Sequence, residues 1–143
     1  MRELMNEERY GNNSELDCII CNGDSNSRIE VAKKSYGLDK LVNDEDPCVR
    51  AAVADQGYNL DKLINDEDWY VRRAVAGQGY GLDLLINDEN TFVRMAVVDQ
   101  GYGLDKLIKD EEPLVRNRVK DWLKEKDMTF EGWMEMHPKK VMY

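Results

Sequence analysis

Residues 58–79 read YNLDKLINDEDWYVRRAVAGQG, and the same pattern recurs on both sides of them. YGLDKLVNDEDPCVRAAVADQG at 36–57, YGLDLLINDENTFVRMAVVDQG at 80–101 and YGLDKLIKDEEPLVRNRVKDWL at 102–123 align with it without a gap. Tyr36, Tyr58, Tyr80 and Tyr102 are thus spaced by 22 residues. A worn fifth copy, SELDCIICNGDSNSRIEVAKKS at 14–35, keeps Leu16, Asp17, Ile19, Arg28, Val31 and Ala32 in register. Self-similarity at a fixed short period marks a repeat architecture. One such unit cannot bury its own apolar stripe, whereas stacked neighbours can.

Each copy reads as two helices. Leu60, Leu63 and Ile64 follow an i, i+3, i+4 spacing over about two turns, short enough to be partly 3₁₀. The second helix begins where Asp24, Asp46, Asp68 and Asn90 stand as N-caps, with Glu112 a weaker substitute. Pro47 and Pro113 occupy the first helical position, where a missing N–H is no loss. Val71 and Val75 form an i, i+4 core contact, and Gly57, Gly79 and Gly101 suit left-handed C-caps. The expected fold is all-α: a right-handed α-solenoid of about five 22-residue helix-pair (α/3₁₀) repeats with a C-terminal capping helix. Residues 1–13 form an N-terminal cap segment, 14–123 the repeats and 124–143 the cap and tail. The small Ala52, Ala74 and Ala96 give way to Arg118 in the last copy, and Ala54, Ala76 and Val98 to Lys120. Long charged side chains in those registers predict that no further unit stacks there, with Trp122 and Leu123 available to pack the cap. Thr129 then reads as an N-cap, Phe130, Trp133 and Met134 as an apolar face, and Pro138 as the stop.

The chain carries a formal net charge of −9. Residues 36–101 hold 13 acidic and 6 basic residues, a local charge of −7. Such a surface repels nucleic-acid phosphate and anionic lipid, and the longest basic cluster is only Lys139-Lys140. No apolar run approaches the roughly 18 residues of a membrane span, and the first residues lack the apolar centre of a secretory signal. Three cysteines in a chain with ample aliphatic residues argue for a reducing, cytoplasmic home. No phosphate-binding glycine loop, nucleophile elbow or zinc-protease motif occurs, and the single histidine is His137. The expectation is a chain that is not an enzyme and holds no cofactor. The NDED turns offer carboxylates but lack the alternating spacing and mid-loop glycine of a calcium loop.

The string D-x-x-x-V-R-x-x-V-A followed by L-x-x-L-x-x-D resembles the HEAT-like repeat group, and its shortness is most similar to the leucine-rich-repeat-variant branch. It stands here as Asp66, Val71, Arg72, Val75, Ala76, Leu82, Leu85 and Asp88, and the match spans roughly residues 14–123. The resemblance implies a ladder between neighbouring units, on Asp44, Asp66, Asp88 and Asp110 with Arg50, Arg72, Arg94 and Arg116. It also raises an iron–sulfur cluster near the N-terminus, for which Cys18 and Cys21 would be ligands. Such a cluster needs four ligands, and only Cys48 remains as a third thiol.

Function is expected where units differ and side chains point outward. With Val71 toward the core, 100° per residue sets Trp69, Arg73 and Gly77 opposite it and Tyr70 at the border. The same register holds Pro47, Cys48, Ala51 and Asp55, then Thr91, Phe92, Met95 and Asp99, then Pro113, Leu114, Asn117 and Asp121. Trp69, Tyr70, Arg73, Phe92, Met95 and Leu114 are residue types favoured at interface centres. The leading expectation is a non-enzymatic protein-binding scaffold using this aromatic ribbon. Its partner is a protein with a basic or mixed surface, with no direct nucleic acid and no membrane. The alternative is a small acidic inhibitor that mimics nucleic acid, for example a phage anti-defence protein blocking a nuclease.

Overall fold

The computed structural model describes residues 13–138, so the expected N-terminal cap segment lies, but for Asn13, outside the described residues, as does 139–143. Among the described residues every regular element is a helix. In chain order they are α1 (Asn13–Asn22), α2 (Ser25–Lys33), α3 (Leu38–Leu41), α4 (Pro47–Asp55), α5 (Leu60–Leu63), α6 (Trp69–Gly77), α7 (Leu82–Leu85), α8 (Thr91–Asp99), α9 (Leu104–Leu107), α10 (Pro113–Glu125) and α11 (Phe130–Met136). The chain divides into two compact units, one ending at Tyr80 and one starting at Gly81. That division falls inside the opening dipeptide of a repeat, in a region read from sequence as one continuous array.

The short helices are single α-turns. In α5 the Leu63 N–H reaches Asn59 O at 3.1 Å and the Ile64 N–H reaches Leu60 O at 2.9 Å. Tighter i→i+3 bonds flank the turn, from Lys62 to Asn59 and from Asn65 to Lys62. The residue entering each short helix is left-handed: Gly37 at φ 64°, Asn59 at 52°, Gly103 at 63°. Glycine meets a second demand at two of these positions. A Cβ on Gly37 would lie 2.4 Å from Ile20 Cδ1, and one on Gly103 would lie 2.2 Å from Ile86 Cδ1. The residue in the register of Ile20 and Ile86 that precedes Asn59 is Val42, which has no Cδ atom. Asparagine, tolerant of the left-handed region, therefore fits where its neighbour is shorter.

The long helices start on side-chain caps. Asp46 accepts from the Cys48 N–H at 2.8 Å, Asp68 from Tyr70 at 2.9 Å and Asn90 from Phe92 at 2.8 Å. Glu112 makes no side-chain cap. The ends are Schellman closures: Gly57 N–H bonds Ala54 O at 2.8 Å and Tyr58 N–H bonds Val53 O at 3.4 Å, with Gly57 at φ 74°. In the last repeat Leu123 stands where Gly57 and Gly101 stand. Without a residue suited to that reversal, α10 runs on to Glu125, and the left-handed turn falls at Asp127, φ 50°.

In the first unit α4 packs against both α2 and α6. Val31, Val49, Val53, Val71, Val75, Leu41 and Leu63 are almost wholly buried there. In the second unit α8 packs against α10 around Val93, Val97, Val115 and Val119, with Leu104 and Leu107 from α9. Each such side chain contributes about 1.5–3 kcal/mol when fully buried. The final helix closes that core. Thr129 caps it by accepting from the Gly132 N–H, and Trp133, 3% exposed, donates its indole N–H to Gly101 O at 3.1 Å. Trp122 lies against the same glycine, where an added Cβ would meet its ring at 2.6 Å.

Candidate functional site

The acidic turns are built around arginine forks. Arg50 Nε and Nη2 bond both oxygens of Asp66 at 2.9 and 3.0 Å, while its Nη1 donates to Asp44 O at 2.7 Å. The same oxygen of Asp66 that takes Nη2 also accepts from the Asp68 N–H at 2.9 Å. One arginine thus ties two consecutive turns, and the carboxylate that receives it also fixes the entry to the next long helix. Arg94 does the same with Asp110 and Asp88 O, at 2.9, 3.1 and 2.7 Å. Each pair joins residues 16 apart, so an arginine reaches the aspartate of the following repeat.

Arg28 of the worn repeat is a member that the sequence reading left out of the ladder. It binds Asp44 at 2.8 and 3.1 Å and Gly23 O at 2.6 Å. Its register with Arg50 was the available signal. Hydrogen bonding to Asp44 and to Asp66 raises the pKa of Arg28 and Arg50 respectively, against the opposing effect of desolvation. In the first unit Arg72 donates Nη1 to Asp66 O at 2.8 Å. In the second, Asp88 accepts from the Asn90 N–H at 2.9 Å. Arg116 donates to Asp110 O at 2.7 Å and Glu111 O at 3.1 Å. In the Asp44–Asp46 and Asp66–Asp68 turns the first carboxylate serves the fork and the third caps a helix, leaving Glu45 and Glu67 as the exposed acids of those turns.

A second cross-repeat contact lies nearby, from the Lys62 ammonium to Asn43 and from Lys106 to Asn87. Leu84 occupies that lysine register in the intervening repeat and is 63% exposed.

The outward positions sort unevenly. In the first unit Tyr70 is 42% exposed and Trp69 half-buried, their rings edge-on at 5.7 Å and 84°. Arg73 is exposed, but Ala51 in its register is only 3% exposed, because its methyl lies on a helix flanked by neighbours on both sides. In the second unit Phe92 and Leu114 are 45% and 54% exposed, and Met95 is half-buried. Tyr70, Phe92 and Leu114 share one register, the second position of their helices, with the exposed Cys48 before them. Trp133, on the apolar face of the final helix, is buried in the core of the second unit.

The second unit carries a cleft of about 510 Å³ lined by Leu82, Ile86, Tyr102, Trp133 and His137 among others. The His137 ring stacks on Trp133 at 4.4 Å, with Nδ1 3.0 Å from Trp133 O. Cys18, Cys21 and Cys48 are free and exposed. Desolvation, then Asp46, pushes the Cys48 thiol above its ordinary pKa, which disfavours the reactive thiolate. Among the described residues no group of three or more His, Cys, Asp or Glu side chains is placed to hold a metal ion. Nor is any described helix long and apolar enough to cross a membrane. No family model, no curated protein and no solved structure matches the chain.

Proposed function

We propose that this chain is a non-enzymatic, cytoplasmic protein-binding scaffold that meets its partner at the second position of its long helices. The observation that carries the reading is the exposure of Tyr70, Phe92 and Leu114 in that one register, while the valine next to each, Val71, Val93 and Val115, is fully buried. The fold needs the valines. It has no comparable need for a large apolar group beside them, and exposed apolar side chains in a shared position are the usual mark of a contact surface. The HEAT-like, leucine-rich-repeat-variant assignment and the right-handed solenoid of five units belong to this proposal, and rest on the 22-residue register.

Mimicry of nucleic acid is the weaker reading. A phosphate mimic presents its carboxylates to solvent, and here Asp44, Asp66 and Asp110 are held by guanidinium forks while Asp46 and Asp68 cap helices. The test uses Tyr70→Ala in the first unit and Phe92→Ala with Leu114→Ala in the second. Partner capture from the native cell is compared with wild type, alongside circular dichroism and melting. Retained folding with capture weakened about thirtyfold, the effect of losing a hot spot, supports the reading. Undiminished capture, or affinity that collapses between low and moderate salt while ignoring these substitutions, overturns it.

A further inference from the structure

We infer that the cleft of the second unit binds a small organic cation, one whose flat apolar body carries an amidinium or guanidinium group. The site is separate from the proposed contact surface, since neither Phe92 nor Leu114 lines it.

The cleft exists where the final helix meets the last two short helices. Leu82 and Ile86 come from α7 and its end, Asp105 and Lys106 from α9, and Trp133 and His137 from α11 and its end. Its volume of about 510 Å³ falls in the range of small-molecule sites, roughly 300–1,000 Å³. The aromatic pair is held in place. Trp133 donates its indole N–H to Gly101 O at 3.1 Å, and the His137 ring lies on it at 4.4 Å and 14°. Tyr102, 41% exposed, adds an accessible ring. Asp39 and Asp61 repeat the register of Asp83 in earlier copies, but the tryptophan–histidine pair occurs once in the chain.

The polar groups gathered here are biased toward accepting. His137 Nδ1 lies 3.0 Å from Trp133 O, an oxygen that also takes the His137 backbone N–H at 3.1 Å. A carbonyl only accepts, so Nδ1 carries the proton, and Nε2 of the neutral ring keeps its lone pair on the side away from the helix backbone. Among the described residues lining the cleft, the charged ones are the carboxylates of Asp83 and Asp105 and the ammonium of Lys106. Asp83 is exposed and Asp105 half-buried. Lys106 turns its ammonium to Asn87, so the one cation is already engaged. Donors are spent as well: the N–H of Gly101 goes to Val98 O, that of Tyr102 to Val97 O and the indole of Trp133 to Gly101 O.

Those features select the ligand. A planar amidinium or guanidinium offers paired N–H donors that a carboxylate accepts two at a time, and its face suits an aromatic ring. A flat apolar body on the same molecule answers Leu82, Ile86 and Tyr102, which an arginine side chain with its narrow methylene stem covers less well. An anion would meet Asp83 and an imidazole lone pair with no donor to receive it.

The test titrates the full chain with benzamidine, with its neutral counterpart benzamide and with its anionic counterpart benzoate, followed by backbone amide NMR shifts at about 50 mM salt. Benzamidine is expected to give saturable shifts over 101–106 and 133–137, with a Kd on the order of 1 mM. Benzamide and N-acetylarginine amide should each bind at least about tenfold more weakly, and benzoate should not saturate. Asp83→Asn should weaken benzamidine about tenfold, as should His137→Phe, which keeps a ring over Trp133 and removes the acceptor. Asp83 is exposed, so its isosteric change keeps the test intact should circular dichroism show the phenylalanine variant unfolded. No saturable benzamidine shift overturns the inference, as does benzamide or benzoate binding as tightly as benzamidine, or a folded variant binding as wild type. Equal or tighter binding of N-acetylarginine amide would assign the cleft to a protein side chain and overturn it too. So would a benzamidine affinity raised at least about tenfold by Lys139→Ala with Lys140→Ala, which would make the chain's own lysines the occupant.

Discussion

Arg94 and Asp110 meet as a two-pronged pair, Nε to Oδ2 at 2.9 Å and Nη2 to Oδ1 at 3.1 Å, and each side chain is only 8% exposed. The third arginine nitrogen donates to Asp88 O, so the fork spends its donors on two successive acidic turns. Removing the arginine leaves a largely buried carboxylate and a buried carbonyl without their cation, and that loss outweighs whatever the intact pair contributes net of desolvation.

Arg94→Ala is therefore expected to destabilise the chain by about 3 kcal/mol. Arg73→Ala, one residue beyond the ladder register and exposed, should stay within about 0.5 kcal/mol of wild type. Urea unfolding of both variants checks the contrast. Equal midpoints would remove the ladder from the account of stability.

Val42 and Asn59 make a second, subtler pair. At equivalent positions an isoleucine Cδ1 would lie within 2.4 Å of a Cβ on the left-handed residue, so Ile20 and Ile86 are matched by Gly37 and Gly103. Val42→Ile alone should cost about 1–3 kcal/mol by overpacking, although isoleucine or valine is native at every copy of this position. Adding Asn59→Gly should restore most of the loss. The double-mutant cycle reports this directly, and additive effects would show that the two side chains do not meet.

The third expectation concerns acid. Hydrogen bonds from Ser25 and then from the Cys48 N–H hold the Asp46 carboxyl below its ordinary pKa. A carboxylate with a lowered folded pKa stabilises the fold above its unfolded pKa, near 3.9, and loses that contribution as pH falls through the lower folded value. Asp46→Asn keeps a capping oxygen that does not titrate. Its stability relative to wild type should therefore rise as pH drops below about 4, as read by urea unfolding at successive pH values. A constant difference between the two proteins across that range would exclude the Asp46 charge as a source of pH dependence.

Local chemistry made much of the helical pattern legible. The 22-residue period, the Asp and Asn caps, the prolines at the first helical position and the glycine closures all act within a few residues of where they stand. For that reason the ends of α4, α6 and α8 could be read from the chain alone. The extended α10 was also written there, in the substitution of Leu123 for glycine, though only the structure displays Asp127 as the residue that takes over the reversal.

What the tertiary structure decided is how repeats share side chains. A 100° step places a residue relative to its own helix axis and carries no information about the helices on either side. Ala51 and Arg73 hold the same angular position, yet Ala51 is buried on α4, which has packed helices on both sides, and Arg73 on α6 is exposed. Trp133, legible in the sequence only as part of the final helix's apolar face, closes the second unit's core, its indole N–H satisfied by Gly101 O. The choice of ladder partner was likewise not local. Arg28 takes Asp44 and Arg50 takes Asp66 because each guanidinium spans from its own turn to the next, a distance that exists only once the repeats are packed.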